Sequence, residues 1–365
     1  MPDDDADDRR LRLTDDADEP TDGRDDAEAD EQGEGSRRSR RRREGKRRNP
    51  LVVALLVLFT MALIVAVALG GFALYLTNKF DNNVTRSSLL PDGDRATRAA
   101  SAGNAQNILL LGSDSRTQEL RSGARADVIQ LVHVPNDRKS LQVIHFPRDL
   151  YVDIPGRGKN KINAAYAFGG APLLVQTLEQ LLGVRIDNVA AIGFDGFKEL
   201  TNTVGGVQVN VDQPSTSQGY TFTPGTMQMN GDQALAFVRE RKQLAGGDID
   251  RGKRQQAWMK GLMSKTLNTG TLTNPVKLSG MVDDVSQNLV VDESFSTGDM
   301  RSLAFSMRGV RQADITFMTA PYSGFSSVRG IGSIDVVDEP RMKQLGQALQ
   351  EDTMTTLPGQ ITNPG

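Results

Sequence analysis

The 365-residue chain carries a formal net charge of -3, has no cysteine and has only two histidines, His133 and His145. The absence of cysteine excludes disulfides, zinc–thiolate sites and thiol catalysis. The length allows one sizeable or two small domains.

The small net charge conceals three blocks. Residues 1–35 hold 16 Asp/Glu against 4 Arg. So acidic a head, poor in apolar residues, cannot bury enough surface to offset its ordering entropy, and disorder is expected. Residues 36–50 hold nine Lys/Arg and one Glu, mostly in RRSRRRREGKRR (37–48). No further charge appears until Lys79, and the interval contains LVVALLVLFTMALIVAVALGGFALYL (51–76). At about 1.5 Å per residue, such a helix spans the roughly 30 Å hydrocarbon core with some tilt. The apolar stretch is longer than that of a cleaved signal peptide. We read residues 1–50 as a cytoplasmic head, 51–77 as a single transmembrane signal anchor, and the rest as extracytoplasmic. The basic run before the span sets this orientation. It also attracts anionic inner-leaflet lipid, and its place beside the span argues against nucleic acid as a partner.

Residues 78–104 are polar and unpatterned, which predicts a tether. From Asn107 the texture changes. ILLL (108–111) is a short buried strand followed by the turn-forming GSDS. DVIQLVHV (127–134) and SLQVIHF (140–146), separated by PNDRK, give a hairpin signal. APLLVQTLEQLLGV (171–184) is a helix with Pro172 near its start and Gly183 at its end. AAIGF (190–194) and GVQVNV (206–211) read as strands. GDQALAFV (231–238) and RGKRQQAWMKGLMSKTL (251–267) read as helices, and ADITFMTAP (313–321) is a late strand. Strands and helices alternate without an internal repeat over 105–350. This predicts one α/β domain with a central mixed sheet flanked by helices, followed by a flexible tail over 351–365.

Charged groups cluster at element ends in GSDSR (112–116), RAD (125–127), PRD (147–149), KIN (161–163), RER (239–241) and DIDRGKRQQ (248–256). Ligands of α/β sheets sit at such ends. A hairpin turn centred between Asp137 and Arg138 pairs residue 127 with 148, bringing Asp127 beside Arg148, and Asp114 follows the first strand. Two carboxylates among guanidiniums suit a hard divalent cation such as magnesium together with an anion. Arg239 and Arg241 serve one ligand only if the helix ends near Val238, because residues two apart share a face in extended chain. Arg251, Arg254 and Gln255 fall at i, i+3 and i+4, so a helix presents them together. Asp248 sits at or just before that helix's start. Any one Arg–Asp pair also reads as a surface ion pair, and the residues alone leave both readings standing. The histidines lie mid-strand and read as structural, and GSDSR lacks the Lys-Ser/Thr of a phosphate loop.

NILLLGSDSR, RADVIQLVHV, HFPRDLYVDIPG, KINAAYAFGG, FKELTNTVGGVQVNV, DQALAFVRER and GDIDRGKRQQ stand in an order that resembles the LytR-CpsA-Psr family. The resemblance covers most of 105–256, and Phe146 replaces the family's usual small hydroxyl residue before PRD. It implies an enzyme that takes a glycopolymer from polyprenyl pyrophosphate and joins it to peptidoglycan through a phosphodiester. In that reading Asp114 and Asp127 hold magnesium, with manganese as the alternative ion. Arg125, Arg148, Arg239, Arg241, Arg251 and Gln255 grip the pyrophosphate, and Lys161 and Arg116 support it. The family also has an apolar slot for the lipid tail, for which the Leu-rich helix over 171–182 is a candidate wall, with plain core as the alternative. Arg148, Arg239, Arg241 and Arg251 would neutralise charge developing at phosphorus. Asp248 is the candidate general base, and Asp149 the candidate for orienting Arg148. A polyprenyl-pyrophosphate hydrolase and a non-catalytic lipid-binding envelope protein use the same residues and remain alternatives. The oligomeric state is not encoded in these patterns.

Overall fold

Helix α1 (Pro50–Asn83) is apolar on every side through most of its length. Within Leu58–Asn83 an 18-residue segment reaches mean hydropathy 2.2, so the helix is long and apolar enough to cross a membrane. In the computed structural model, residues 50–93, 95–113, 126–266 and 274–357 are described. The acidic and basic head over 1–49 lies outside the described residues. So do Asp114, Arg116, Arg125 and the end of the tail over 358–365.

The segment over 78–104 is not a tether. Strand β1 (Thr85–Ser87) pairs in parallel with β12 (Leu289–Asp292) at the edge of the main sheet. Leu89 and Leu90 donate their backbone N–H groups to the buried Asp292 carboxylate, each at 2.9 Å. Arg95 meets Glu179 at 2.6 Å. A three-residue strand is too short to show a period in sequence, yet it satisfies its backbone on the sheet edge.

Among the described residues the main sheet has seven strands, in the order β1, β12, β7 (Asn188–Gly193), β2 (Gln106–Ser113), β3 (Ala126–Val134), β4 (Leu141–His145) and β13 (Ile315–Thr319). Parallel pairs join β1 to β12, β2 to β7 and β4 to β13; the others are antiparallel. The sheet is therefore mixed, as the alternation of elements predicts. The β3–β4 register, Gln130 opposite His145, is the one expected from a turn at Asp137–Arg138. Arg138 takes φ 58° there.

Strand periodicity then sorts the side chains onto two faces. Leu109, Leu111, Ile129, Leu131 and Ile144 are fully or nearly fully buried on one face. They share a core with Leu174 and Leu178 of α2 (Ile162–Leu182) and Leu345 of α8 (Glu339–Gln350). Helix α2 begins nine residues before Ala171 but breaks at Gly169–Gly170, where Gly170 has φ 65°, so Pro172 does stand near the start of its second segment. Leu110, Val128, Gln130, Ala190 and Ile192 point the other way. There they face a second layer containing α3 (Phe194–Thr203), α4 (Gly231–Arg239), α5 (Asp248–Thr266) and α6 (Pro275–Asn288). Helix α7 (Thr297–Ser306) packs on the same face through Leu303 and Met300.

Smaller sheets flank this frame. Strands β5 (Leu150–Ile154) and β6 (Gly158–Lys161) join β14 (Tyr322–Val328) and β15 (Gly332–Val337). Strands β8 (Val207–Val211) and β11 (Gly225–Met229) form one ribbon, and β9 (Ser215–Ser217) and β10 (Tyr220–Phe222) another. The chain beyond 350 is also tied down rather than loose, as far as Leu357. Met354 and Leu357 are buried in the main core, each worth about 2 kcal/mol. Asp352 meets the buried His133 at 3.0 Å.

Candidate active site

A cavity of about 530 Å³ opens between the second face of the sheet and helices α3, α4, α5 and α6. Its body is apolar: Phe197 and Leu200 from α3, Leu235 from α4, Met259, Leu262 and Met263 from α5, and Val285 from α6. Arginines gather at one end. The gradient is written along α5, where Arg251, Gln255, Met259 and Leu262 fall on one stripe and all line the cavity. At 1.5 Å rise per residue that stripe runs about 16 Å, from a charged first turn to an apolar fourth.

Asp127 reaches this cavity through a β-bulge. Gly112 pairs with Val128 and Ser113 with Ala126, so Asp127 has no partner on β2. Strict alternation would turn it to the Ile129 and Leu131 face; the extra residue re-aims it. Its carboxylate meets Arg148 at 2.5 Å, as the hairpin register requires. Arg148 is also held from behind by Asp248, which accepts from the Arg148 backbone N–H at 3.1 Å and lies 3.7 Å from its Nε. Asp248 ion-pairs as well with Arg251, one helical turn along α5.

The RER segment behaves as its period demands. Helix α4 ends at Arg239 and Glu240 is extended, with ψ 133°. Arg239 and Arg241 both line the cavity. Glu240 turns away and accepts the backbone N–H groups of Lys242 and Gln243 at 2.7 and 3.1 Å. The two arginines are held differently. The exposed Arg239 stacks 4.3 Å from the Phe194 ring centre, whereas the half-buried Arg241 lies 3.8 Å from Asp149.

Several expectations are corrected. Asp248 is not on the cavity wall; it is buried beneath two guanidiniums, and burial pushes its carboxyl above the ordinary value. From there it holds Arg148 and Arg251. Asp149 pairs with Lys161 at 3.1 Å and faces Arg241, not Arg148, and Lys161 stands behind the wall. Arg254 does not join Arg251 and Gln255. Three residues on a helix turn 300°, which leaves Arg254 60° from Arg251, and the rings of Phe222 and Phe237 take up its guanidinium. There it lies 4.4 Å from the Phe237 ring centre and donates to Ser215 Oγ at 2.8 Å. The Leu-rich helix is plain core on the opposite face of the sheet. Both histidines are buried, and burial lowers the His145 imidazole to about 3, so it stays neutral.

The residues that sequence reasoning missed are the stacking Phe194, the slot residues of α3 and α5, and Gln130. Only the α5 stripe carried a readable signal. Gln130 lines the cavity and is fully buried, yet its amide finds no hydrogen-bond partner among the described residues, and the same holds for Arg251 Nε. Buried polar atoms left open on a cavity wall point to a polar ligand.

The architecture has relatives. A model described as the LytR_cpsA_psr family matches residues 75–351. The chain belongs to the LytR_cpsA_psr family. Among relatives of this LytR_cpsA_psr chain, the cell wall biosynthesis protein LcpA of Corynebacterium glutamicum is 31% identical over 329 residues, covering 77% of this chain and 62% of LcpA. The polyisoprenyl-teichoic acid–peptidoglycan teichoic acid transferase TagU of Enterococcus faecalis is 34% identical over 254 residues, covering 68% of this chain and 80% of TagU. The crystal structure of B. subtilis TagV aligns with a TM-score of 0.59 at 26% identity, covering 68% of this chain and 97% of TagV.

Proposed function

We propose that this chain transfers a phosphate-linked glycopolymer from a polyprenyl-pyrophosphate carrier to peptidoglycan, forming a phosphodiester and releasing polyprenyl phosphate. The observation that carries the reading is one cavity with an apolar body and Arg148, Arg239, Arg241 and Arg251 at its end. A long apolar tail with a pyrophosphate head has this same division. The names of LcpA and TagU agree with cell-wall chemistry of this kind.

In the reaction, a peptidoglycan hydroxyl attacks the glycan-linked phosphorus, the new P–O bond forms as the bond to polyprenyl phosphate breaks, and the hydroxyl proton passes to the departing polyprenyl phosphate. Guanidinium forks match phosphate oxygens in a bidentate way, so the arginines hold the two phosphates and offset charge that grows on the leaving oxygen. Asp248 fixes Arg148 and Arg251, and Phe194 fixes Arg239. Enclosure by the α3 and α5 side chains keeps water from the carrier's tail and strengthens these interactions.

Magnesium is compatible with the residues present. Asp127 brings a carboxylate to the cavity wall at the arginine end. Among the described residues no group of three or more His, Cys, Asp or Glu forms a metal cage. Magnesium needs none, since one or two carboxylates plus phosphate oxygens and water suffice. Asp127 and, from the family motif, Asp114 would hold it. Bound there, it would supply positive charge to the phosphate oxygens.

The test is to incubate the full chain in detergent with a polyprenyl-pyrophosphate-linked glycan, labelled in the sugar, and a peptidoglycan oligomer. Transfer moves the label onto the oligomer in step with polyprenyl phosphate. Label released only as free glycan phosphate would mean hydrolysis; retained label on a bound carrier would mean a lipid-binding protein.

A further inference from the structure

The apolar helix is fastened to the catalytic domain on one side. Phe72, Leu76, Thr77, Lys79, Phe80 and Asn83 are half-buried along one stripe, while residues 61–71 are exposed. Two helices make the contact, and their registers against α1 can be read. On α7, Thr297 binds Asp81, and Arg301 reaches Thr77 Oγ1 at 3.4 Å, so α7 runs antiparallel to α1. One turn further, Phe305 comes level with the neighbourhood of Ala73. On α6, Asp283 accepts from Asn83 at 2.8 Å, and Ser279 lies 3.5 Å from Lys79 Nζ, so α6 runs in the same direction as α1. Its first turn, with Val276, comes level with the neighbourhood of Leu76.

That depth has a meaning. The 26-residue apolar run over 51–76 extends about 39 Å as a helix, against a hydrocarbon core of roughly 30 Å. With the basic run held at the inner surface, the last six or so residues of the run lie in the outer headgroup layer. Phe305 and Val276 reach that layer from the side and are unusually open for large apolar residues, at 66% and 81% exposed. Basic side chains surround them: Arg308 stacks 4.3 Å from the Phe305 ring centre, and Lys277 and Arg301 are exposed nearby. An aromatic or aliphatic tip within a basic rim is the composition of a surface that lies in an anionic lipid interface.

We propose that the last turn of α7 and the first turn of α6 dock on the outer leaflet, with Phe305 and Val276 in the headgroup–acyl boundary and Lys277, Arg301 and Arg308 on anionic lipid headgroups. This rests on α1 spanning the membrane. The docking fixes more than distance. Helix α6 carries Val276 to the bilayer and Val285 to the cavity wall about 13 Å further along. A lipid tail leaving the leaflet therefore meets the apolar part of the cavity along a helix that is itself seated on the membrane.

The chain has no cysteine, so single labels are clean. Leu63→Cys, Val276→Cys, Phe305→Cys and Ser327→Cys variants of the full chain carry a fluorophore in vesicles of phosphatidylcholine with phosphatidylglycerol. Ser327 is an exposed control in the four-stranded sheet. Labels at Leu63, Val276 and Phe305 should lose about half their emission or more to a spin-labelled lipid, and the Ser327 label should respond only to aqueous iodide. Omitting phosphatidylglycerol should weaken lipid quenching at Val276 and Phe305 but not at Leu63. Iodide quenching at Val276 and Phe305 with Leu63 still lipid-quenched would overturn the docking alone. Iodide quenching at Leu63 would overturn the membrane span and the docking with it. Labels at Val276 and Phe305 shielded from both quenchers would mean that a second copy covers this face, and would also overturn the proposal.

Discussion

Arg148 and Asp127 meet at 2.5 Å across the open end of the β3–β4 hairpin. Two chemistries fit that pair: an ion pair that merely closes the sheet, or a carboxylate poised between a guanidinium and a metal-bound phosphate. Asp127→Ala separates them. If Asp127 holds magnesium, turnover falls on the order of a hundredfold or more. Binding of the anionic carrier is largely kept, because a carboxylate among cations has been removed. The domain stays folded, since the pair lies at the edge of a cavity. Turnover measured against magnesium concentration decides: near-normal activity in the mutant, or wild-type activity unaffected by a chelator, removes the metal assignment.

Asp248 offers a second separation. As a positioning residue it supplies charge to Arg148 and Arg251 from a buried site. Asp248→Ala leaves the buried Arg251 uncompensated and should lower stability by about 3–5 kcal/mol. Asp248→Asn keeps an acceptor for the Arg148 N–H and should fold with reduced transfer, its kcat–pH profile unmoved. A general base would lose its limb of that profile in the Asn variant.

Much of this site was legible in the sequence because it depends on spacing. The hairpin turn between Asp137 and Arg138 fixed the meeting of residues 127 and 148. The period of two in RER required the helix to end where it does. What escaped depends on facts that spacing does not carry. Arg254 lies on the same helix as Arg251, but the aromatic rings of Phe222 and Phe237 decide where its guanidinium goes. The apolar wall of the cavity came from α3 and α5 instead of the Leu-rich α2, because α2's stripe fits the other face of the sheet equally well as a pattern. The β-bulge at Asp127 has no local residue signature at all. Strand β1 was hidden by its length.

A pH effect follows from Asp335 on β15. Burial raises its carboxyl to about 7, reinforced by Asp248 and Asp149, and its Oδ2 has no hydrogen-bond partner among the described residues. The folded state thus binds a proton more tightly than the unfolded chain, whose aspartates titrate near 4. Between those values the native protein holds the extra proton, so stability falls as pH rises from about 4 to about 7 and levels off above. Asp335→Asn should remove that slope and be the more stable protein at pH 8. Denaturant midpoints across this range check the sign; a wild-type stability that rises from pH 4 to pH 7, with no difference from the mutant, would exclude the raised carboxyl.

The last prediction concerns a glycine that carries no functional group. Gly252 sits in the first turn of α5, directly after Arg251. A Cβ built there would lie 2.3 Å from His145 Nε2 and 2.4 Å from its Cδ2. His145 cannot yield easily: it is fully enclosed on β4 and its carbonyl accepts the Ala320 N–H at 2.8 Å. Gly252→Ala therefore pushes the first turn of α5 off the sheet. Overpacking of this kind costs about 1–3 kcal/mol. The larger effect falls on rate, because Arg251 and Gln255 ride on the same turn, and an ångström of misplacement costs on the order of a hundredfold. His145→Ala opens the space that the new methyl group needs. The double mutant should then recover transfer relative to Gly252→Ala alone, a coupling that two independent lesions do not show. Additive losses in the double-mutant cycle would mean that Gly252 serves the helix backbone and not the approach of α5 to His145.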